Sequence, residues 1–273
     1  MNEIVKTGGL NLATQIAWRV MNLLAERKAI LYPSGTVFLI WELPGRFVVG
    51  FEPSAVNIQR IDAHGKVEKL YEQCDGQPFQ GPNDLVMDTH GGFYFTDPGP
   101  LTREGSKFGH LYYAQRDGSS VKRMQYLFLL PNGIALTPDD STLIVLESLT
   151  SRIWAIPIES PGVLAQVDAG ARAGAPKAWP VSALLTTIPQ PSAPDGMCMD
   201  AAGNLLICAH NAGLVSVHAP DGTPIAQIAV EDRRLTNCCF GGSDFQTLYI
   251  TESGLGRVVS VQWERPGLRL HDH

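Results

Sequence analysis

Four oxygen-bearing side chains recur at matching places along the chain: Asn83, Asn132, Asp195 and Asn237. Each follows Pro or Thr and opens a short apolar run, in PNDLVMDTHGGFYFTDP, PNGIALTPDDSTLIVLES, PDGMCMDAAGNLLICAH and TNCCFGGSDFQTLYITES. Amide and carboxylate oxygens are the donors that hard divalent cations select. A carboxylate beside a held water can also take its proton as a general base. Asn and Asp equally cap turns at strand entries by bonding nearby backbone amides. One such residue alone reads as a cap; four at equivalent positions point to a shared site.

The elements that position them follow from the repeat. After each lead residue comes an apolar strand, a Gly/Asp turn and a second strand. Further strand pairs lie between the units, as in GHLYYAQRDGSSVKRMQYLF and GLVSVHAPDGTPIAQIAV. Their Asp-Gly turns supply residues that tolerate positive φ. A unit of about four short strands in roughly 40 to 60 residues is the mark of a β-propeller blade. In that geometry the first strand of a blade lines the axis and the second runs back. The lead residues then converge on one mouth of the central channel. Asp97, Glu147 and Glu252 end second strands at that mouth, as carboxylates behind the site or as solvated strand ends. The third unit has Ala209 there, followed by His210, a candidate general acid, extra ligand or simply satisfied strand-end histidine. Arg103, Lys107 and His110 fall in a loop that lines the entrance or is merely solvated. His90, His218, His271 and His273 read as turn and tail residues. The Ala/Gly/Pro-rich stretch PGVLAQVDAGARAGAPKAWP reads as an exposed loop between strands.

Composition agrees with an all-β enzyme-like domain. Of 273 residues, 44% are apolar and 18% charged, and there are 27 Gly and 19 Pro. Such a chain can bury a large core and turn often. A net charge of −6 disfavours nucleic acid as a partner. No apolar run reaches the ~20 residues of a membrane span. The five cysteines include no CxxC pair and read as reduced, structural thiols in a cytoplasmic protein. No GxSxG elbow, HExxH motif or phosphate-binding loop is present.

The segments GPNDLVMDTHGGFYFTDPG, LPNGIALTPDDSTLIVLES, PDGMCMDAAGNLLICAH and TNCCFGGSDFQTLYITESGLGRVVSVQWERPGLRL resemble successive blades of the gluconolactonase, regucalcin (senescence marker protein) and luciferin-regenerating-enzyme family. The resemblance runs from about Val56 to the C-terminus. It implies a six-bladed propeller with one divalent cation, calcium or zinc, at the axis, and hydrolysis of a small, sugar-type lactone. It implies that Asn132 and Asp195 are metal ligands, that Asp195 is also the general base, and that Asn83 holds water or substrate. His210 joins Asn83 as a candidate substrate contact.

The departure is at the N-terminus. The family's third ligand is a first-blade glutamate, and no matching motif occurs in residues 1–55. Instead LNLATQIAWRVMNLLAERKAIL places Leu12, Ile16, Val20 and Leu23–Leu24 on one helical face. The expected organisation is thus an atypical segment, 1–55, with a helix and a partial blade, followed by a propeller domain, 56–273. Glu3, Glu42 and Glu52 are the early glutamates available as ligand. The helix could cover an open blade edge or pair two chains as a homo-oligomer. Loss of the third ligand would leave the alternative reading, a non-catalytic metal- or ligand-binding propeller. A phosphotriesterase-like hydrolase is a third reading that the architecture also permits.

Overall fold

Successive strands each show the same habit: residues alternate between two separate apolar layers. In the computed structural model, which describes residues 46–52, 55–61, 67–99, 101–102, 105–166, 183–189 and 191–270, that habit builds a stack of sheets. The first sheet is antiparallel, β1 (Arg46–Glu52), β2 (Ala55–Ile61) and β3 (Val67–Tyr71). A two-stranded hairpin, β4 (Gln73–Cys74) and β5 (Gln77–Pro78), follows. The next sheet comprises β6 (Leu85–Met87), β7 (Gly92–Asp97), β10 (Gly109–Gln115) and β11 (Val121–Phe128). Between β7 and β10 lies the small hairpin of β8 (Leu101–Thr102) and β9 (Gly105–Ser106). The third sheet holds β12 (Pro131–Leu136), β13 (Thr142–Glu147), β14 (Arg152–Ser160), β15 (Val163–Leu164) and β16 (Leu184–Thr187). The fourth has β17 (Ala193–Met199), β18 (Leu205–His210), β19 (Leu214–His218) and β20 (Pro224–Ala229). The fifth has β21 (Leu235–Gly241), β22 (Thr247–Glu252) and β23 (Arg257–Gln262).

The last four sheets are blades of a propeller-like, all-β arrangement. Their innermost strands, β6, β12, β17 and β21, lie side by side in that order. Both faces of an inner blade are covered, so its strands read as continuous apolar runs. In β7, Phe93 and Phe95 pack toward the first sheet with Ile58, Tyr71 and Phe79, whereas Tyr94 packs toward the third. In β13, Leu143 and Val145 face one way and Ile144 and Leu146 the other. In β18, Leu205 and Ile207 face the third sheet, and Leu206 and Cys208 the fifth. Among the second strands, β22 alternates in burial, with Leu248 and Ile250 inside and Thr247, Tyr249 and Thr251 half-buried.

The expected hairpins are present: β10–β11 turns at Gly118 and β19–β20 at Gly222, both with positive φ. The stretch expected as an exposed loop is ordered at its head. Val163–Leu164 forms β15, Leu164 is buried, and the Gly162 amide donates to Tyr94 Oη at 2.9 Å. Residues 167–180 of it lie outside the described residues, as do the expected N-terminal helix and Glu3 and Glu42. Glu52 ends β1, with its side chain outside the description. Among the described residues no helix is long and apolar enough to cross a membrane.

Two glycines set the spacing of the innermost strands. A Cβ on Gly133 would stand 2.5 Å from the Asp195 carbonyl oxygen, and one on Gly196 would stand 2.3 Å from Asn237 Oδ1. The head of one blade therefore rests on the glycine of the blade before it. Gly133→Ala should cost roughly 1–3 kcal/mol, since its main clash is with backbone that cannot swing aside. Chemical denaturation of the variant checks this; a loss under about 0.5 kcal/mol would show that the strands are not held this tightly.

Candidate functional site at the mouth of the innermost strands

Three of the four lead residues leave the ladder because they sit in bulges. Register shifts fall between Pro131 and Ile134, between Pro194 and Met197, and between Leu235 and Cys238. The extra residue frees a side chain from pleat alternation and re-aims it. Asn132, Asp195 and Asn237 occupy these bulges, and Asn83 stands two residues before β6 with its amide donating to Thr96 O at 2.9 Å.

Asn132 and Asp195 come close. The Asn132 side-chain amide lies near enough to the Asp195 carboxylate to hold its pKa down, across the heads of β12 and β17. His210 comes close as well, its Nδ1 3.9 Å from Asp195 Oδ2. The same nitrogen lies 2.9 Å from Leu235 O, so it carries the proton and donates, leaving Nε2 as the acceptor. Asn83 is half-buried at the same end of its blade.

A residue not singled out from the sequence completes the cluster. Asp84 is half-buried and occupies, in the first unit, the position held by Gly133 and Gly196 in the next two. Its Oδ2 accepts from the Ile134 amide at 3.2 Å and its Oδ1 from the Leu85 amide at 2.9 Å. Its charge is felt at Asp195. The departure from glycine, PND against PNG and PDG, was the available signal.

Burial pushes both carboxyls up. Asp84 rises to about 7, opposed by the Ile134 and Leu85 amides. Asp195 also rises to about 7, through burial first, with the Asn132 amide opposing and the Asp84 charge adding to the rise. Neither has a Lys or Arg partner among the described residues. Two neighbouring carboxyls, an amide and no basic counter-charge fit a divalent cation of the oxygen-preferring kind. Among the described residues no three His, Cys, Asp or Glu side chains cluster for a metal, so any such site depends on the amide donors.

The second-strand carboxylates do something else. Asp97, Glu147 and Glu252 are fully buried, not solvated strand ends. Asp97 accepts from the Gln80 and Gly81 amides, at 2.9 and 2.7 Å. Glu147 accepts from Leu129 N at 3.0 Å, and Glu252 from Asp232 N at 3.2 Å. Each ties down the segment entering the first strand of its own blade. The adjacent hydroxyls tie the next blade: Thr96 Oγ1 donates to Asn132 O at 2.8 Å and Ser148 Oγ to Pro194 O at 2.5 Å. His210, donating to Leu235 O, is the third member of that series.

The other histidines follow expectation only in part. His90 is an exposed turn residue. His218 is buried in β19, with Nε2 2.8 Å from Ser216 Oγ and Nδ1 3.1 Å from Gly222 O. It reads as a turn residue in sequence because the Pro-Asp-Gly turn follows so closely. His110 belongs to β10, paired with Asp97, and burial lowers its pKa. Lys107 is exposed; Arg103, His271 and His273 lie outside the described residues.

Comparison with known proteins now bears on this geometry. Residues 17–254 match the model of the SMP-30/gluconolactonase/LRE-like region. The chain belongs to that family. Among curated members, lactonase drp35 of Staphylococcus epidermidis is 31% identical over 155 residues, and that of Staphylococcus aureus 32%. The match takes in 55% of this chain and only 42% of the length of either relative. A solved gluconolactonase from Xanthomonas campestris superposes with a TM-score of 0.59 at 27% identity, covering 76% of this chain and 65% of that one. A calcium-binding protein, regucalcin, from Agrobacterium tumefaciens shares the fold, with a TM-score of 0.64 at 18% identity over 88% of this chain and 82% of its own.

The carboxyl pair has a consequence for metal-free protein. A carboxyl with a raised folded pKa binds its proton more tightly when folded. The stability it lends is full below about pH 4 and is lost as pH rises through about 7. Asp84→Asn should therefore resist unfolding better than the parent in chelator above pH 7, by on the order of 2 kcal/mol, with the gap closing toward pH 4. Urea melts across that range read it; a gap independent of pH would contradict the burial of the charge.

Proposed function

We propose that this protein is a metal-dependent hydrolase that opens a small, sugar-type lactone by water attack at the propeller axis. Family membership supports the reaction class. The observation that carries it is the nearness of Asn132 to Asp195 at adjoining blade heads, with Asp84 beside it and, among the described residues, no Lys or Arg partner to neutralise them. Six blades in the whole chain, a small-molecule partner and a cytoplasmic setting belong to the same reading.

Asn132 and Asp195 would hold one divalent cation, calcium or zinc, with Asp84 adding charge. When bound, it would supply Lewis-acid polarisation of the lactone carbonyl. Asp195 takes a proton from the attacking water as the water oxygen bonds to the carbonyl carbon. Collapse breaks the bond between that carbon and the ring oxygen, and the proton passes from Asp195 to the ring oxygen, leaving a hydroxy acid. Asn83 holds the water or the lactone. His210 presents Nε2 toward the substrate, with Nδ1 committed to Leu235 O. Groups set in bulges at strand ends are rigid, which favours productive alignment.

Acid release from gluconolactone, with calcium, zinc, manganese or magnesium added in turn, tests this. We expect turnover that chelator abolishes and that Asp195→Ala lowers at least about a hundredfold. Cation binding without turnover would support the non-catalytic binding propeller instead. Turnover unchanged in Asp195→Ala would remove the base assignment.

A further inference from the structure

The fourth and fifth blades meet across a group of thiols that the proposed chemistry does not use. Cys198 lies on β17 and Cys208 on β18, both on the face turned to the fifth blade; Cys238 answers them from β21. Cys198 Sγ stands 3.5 Å from Cys238 Sγ. Cys238 Sγ is also 3.3 Å from Leu206 O, which anchors it toward the fourth blade. All are free thiols; Cys198 is partly exposed, whereas Cys208 and Cys238 are buried. An apolar interface needs small side chains here, but alanine, serine or valine would meet that need. Two sulfurs already in contact across separate strands need move only about 1.5 Å to reach the 2.05 Å of a disulfide.

We propose that Cys198 and Cys238 form a redox-modification site, a reversible disulfide between blades made by peroxides and undone by small thiols. The more exposed residue of the pair reacts first. Cys198–SH is oxidised by hydrogen peroxide to the sulfenic acid, releasing one water. The Cys238 sulfur then attacks the Cys198 sulfur, expelling its hydroxyl as a second water with the Cys238 proton. Two thiols lose two electrons and the peroxide gains them. Hydrogen bonds from Cys198 and Cys208 draw the Cys238 pKa well below the usual thiol value, which suits it to the second step. Cys208 is buried, whereas Cys198 is partly exposed and stands in contact with Cys238, so Cys208 stays a bystander.

Full-length protein is treated with hydrogen peroxide, alkylated after unfolding, and mapped by mass spectrometry without reduction. We expect a linked Cys198–Cys238 peptide pair, lighter by two hydrogens than the separate peptides, that dithiothreitol separates. Cys208→Ser should keep the link; Cys198→Ser and Cys238→Ser should lose it. The unmodified chain alone decides the matter if a variant fails to fold. Complete alkylation of both thiols after oxidant, irreversible over-oxidation of Cys198, or a link through Cys208 would each overturn the assignment.

Discussion

The close approach of one blade head to the glycine of the blade before it is the constraint on which the site depends. Asp195 is where it is because Gly133 has no side chain to hold its backbone away, and Asn237 reaches Gly196 for the same reason. That approach brings the Asn132 amide near the Asp195 carboxylate, where it opposes the rise in its pKa. Where the first unit has Asp84 in place of glycine, the side chain spans to the Ile134 amide of the next blade. The mouth thereby gains a second carboxyl. One backbone position thus governs both blade spacing and the charge of the opening.

Rigidity at the mouth comes from polar groups bonded to the backbone. Asp97, Glu147 and Glu252 anchor the entry segments of their own blades, and Thr96, Ser148 and His210 anchor the head of the next. These buried bonds alternate within and between blades, so the heads are linked in series. A buried carboxylate that loses its amide donors is costly, which keeps the entry segments in place. Rigid placement of a few oxygen donors is what both cation binding and water activation require.

The repeat made the fold readable. Asn or Asp heads after Pro or Thr, paired apolar runs and Asp-Gly turns recur every roughly 40 to 60 residues, and each corresponds to a strand or turn seen in the structure. That Asn132 and Asp195 open neighbouring innermost strands was legible for the same reason. The three second-strand carboxylates were placed at the right end of their strands, and burial removes the solvated alternative. Sequence shows that a carboxylate ends a strand, not whether backbone amides close around it. His218 was misread because a turn signal two residues on outweighed the alternation that buries it. Asp84 was overlooked as a second reading of its neighbour Asn83, although its substitution for glycine was in plain view. The thiols of Cys198 and Cys238 are 40 residues apart in sequence, and only the stacking of two blades brings them together.

The central claim is that oxygen donors from successive blades form one cation site at the mouth. A crystal grown or soaked with manganese and measured at its absorption edge tests it most directly. The account predicts an anomalous peak within about 2.5 Å of an Asp195 carboxylate oxygen and in reach of the Asn132 side-chain oxygen. A peak elsewhere on the molecule, or none at a manganese concentration that supports turnover, would contradict it.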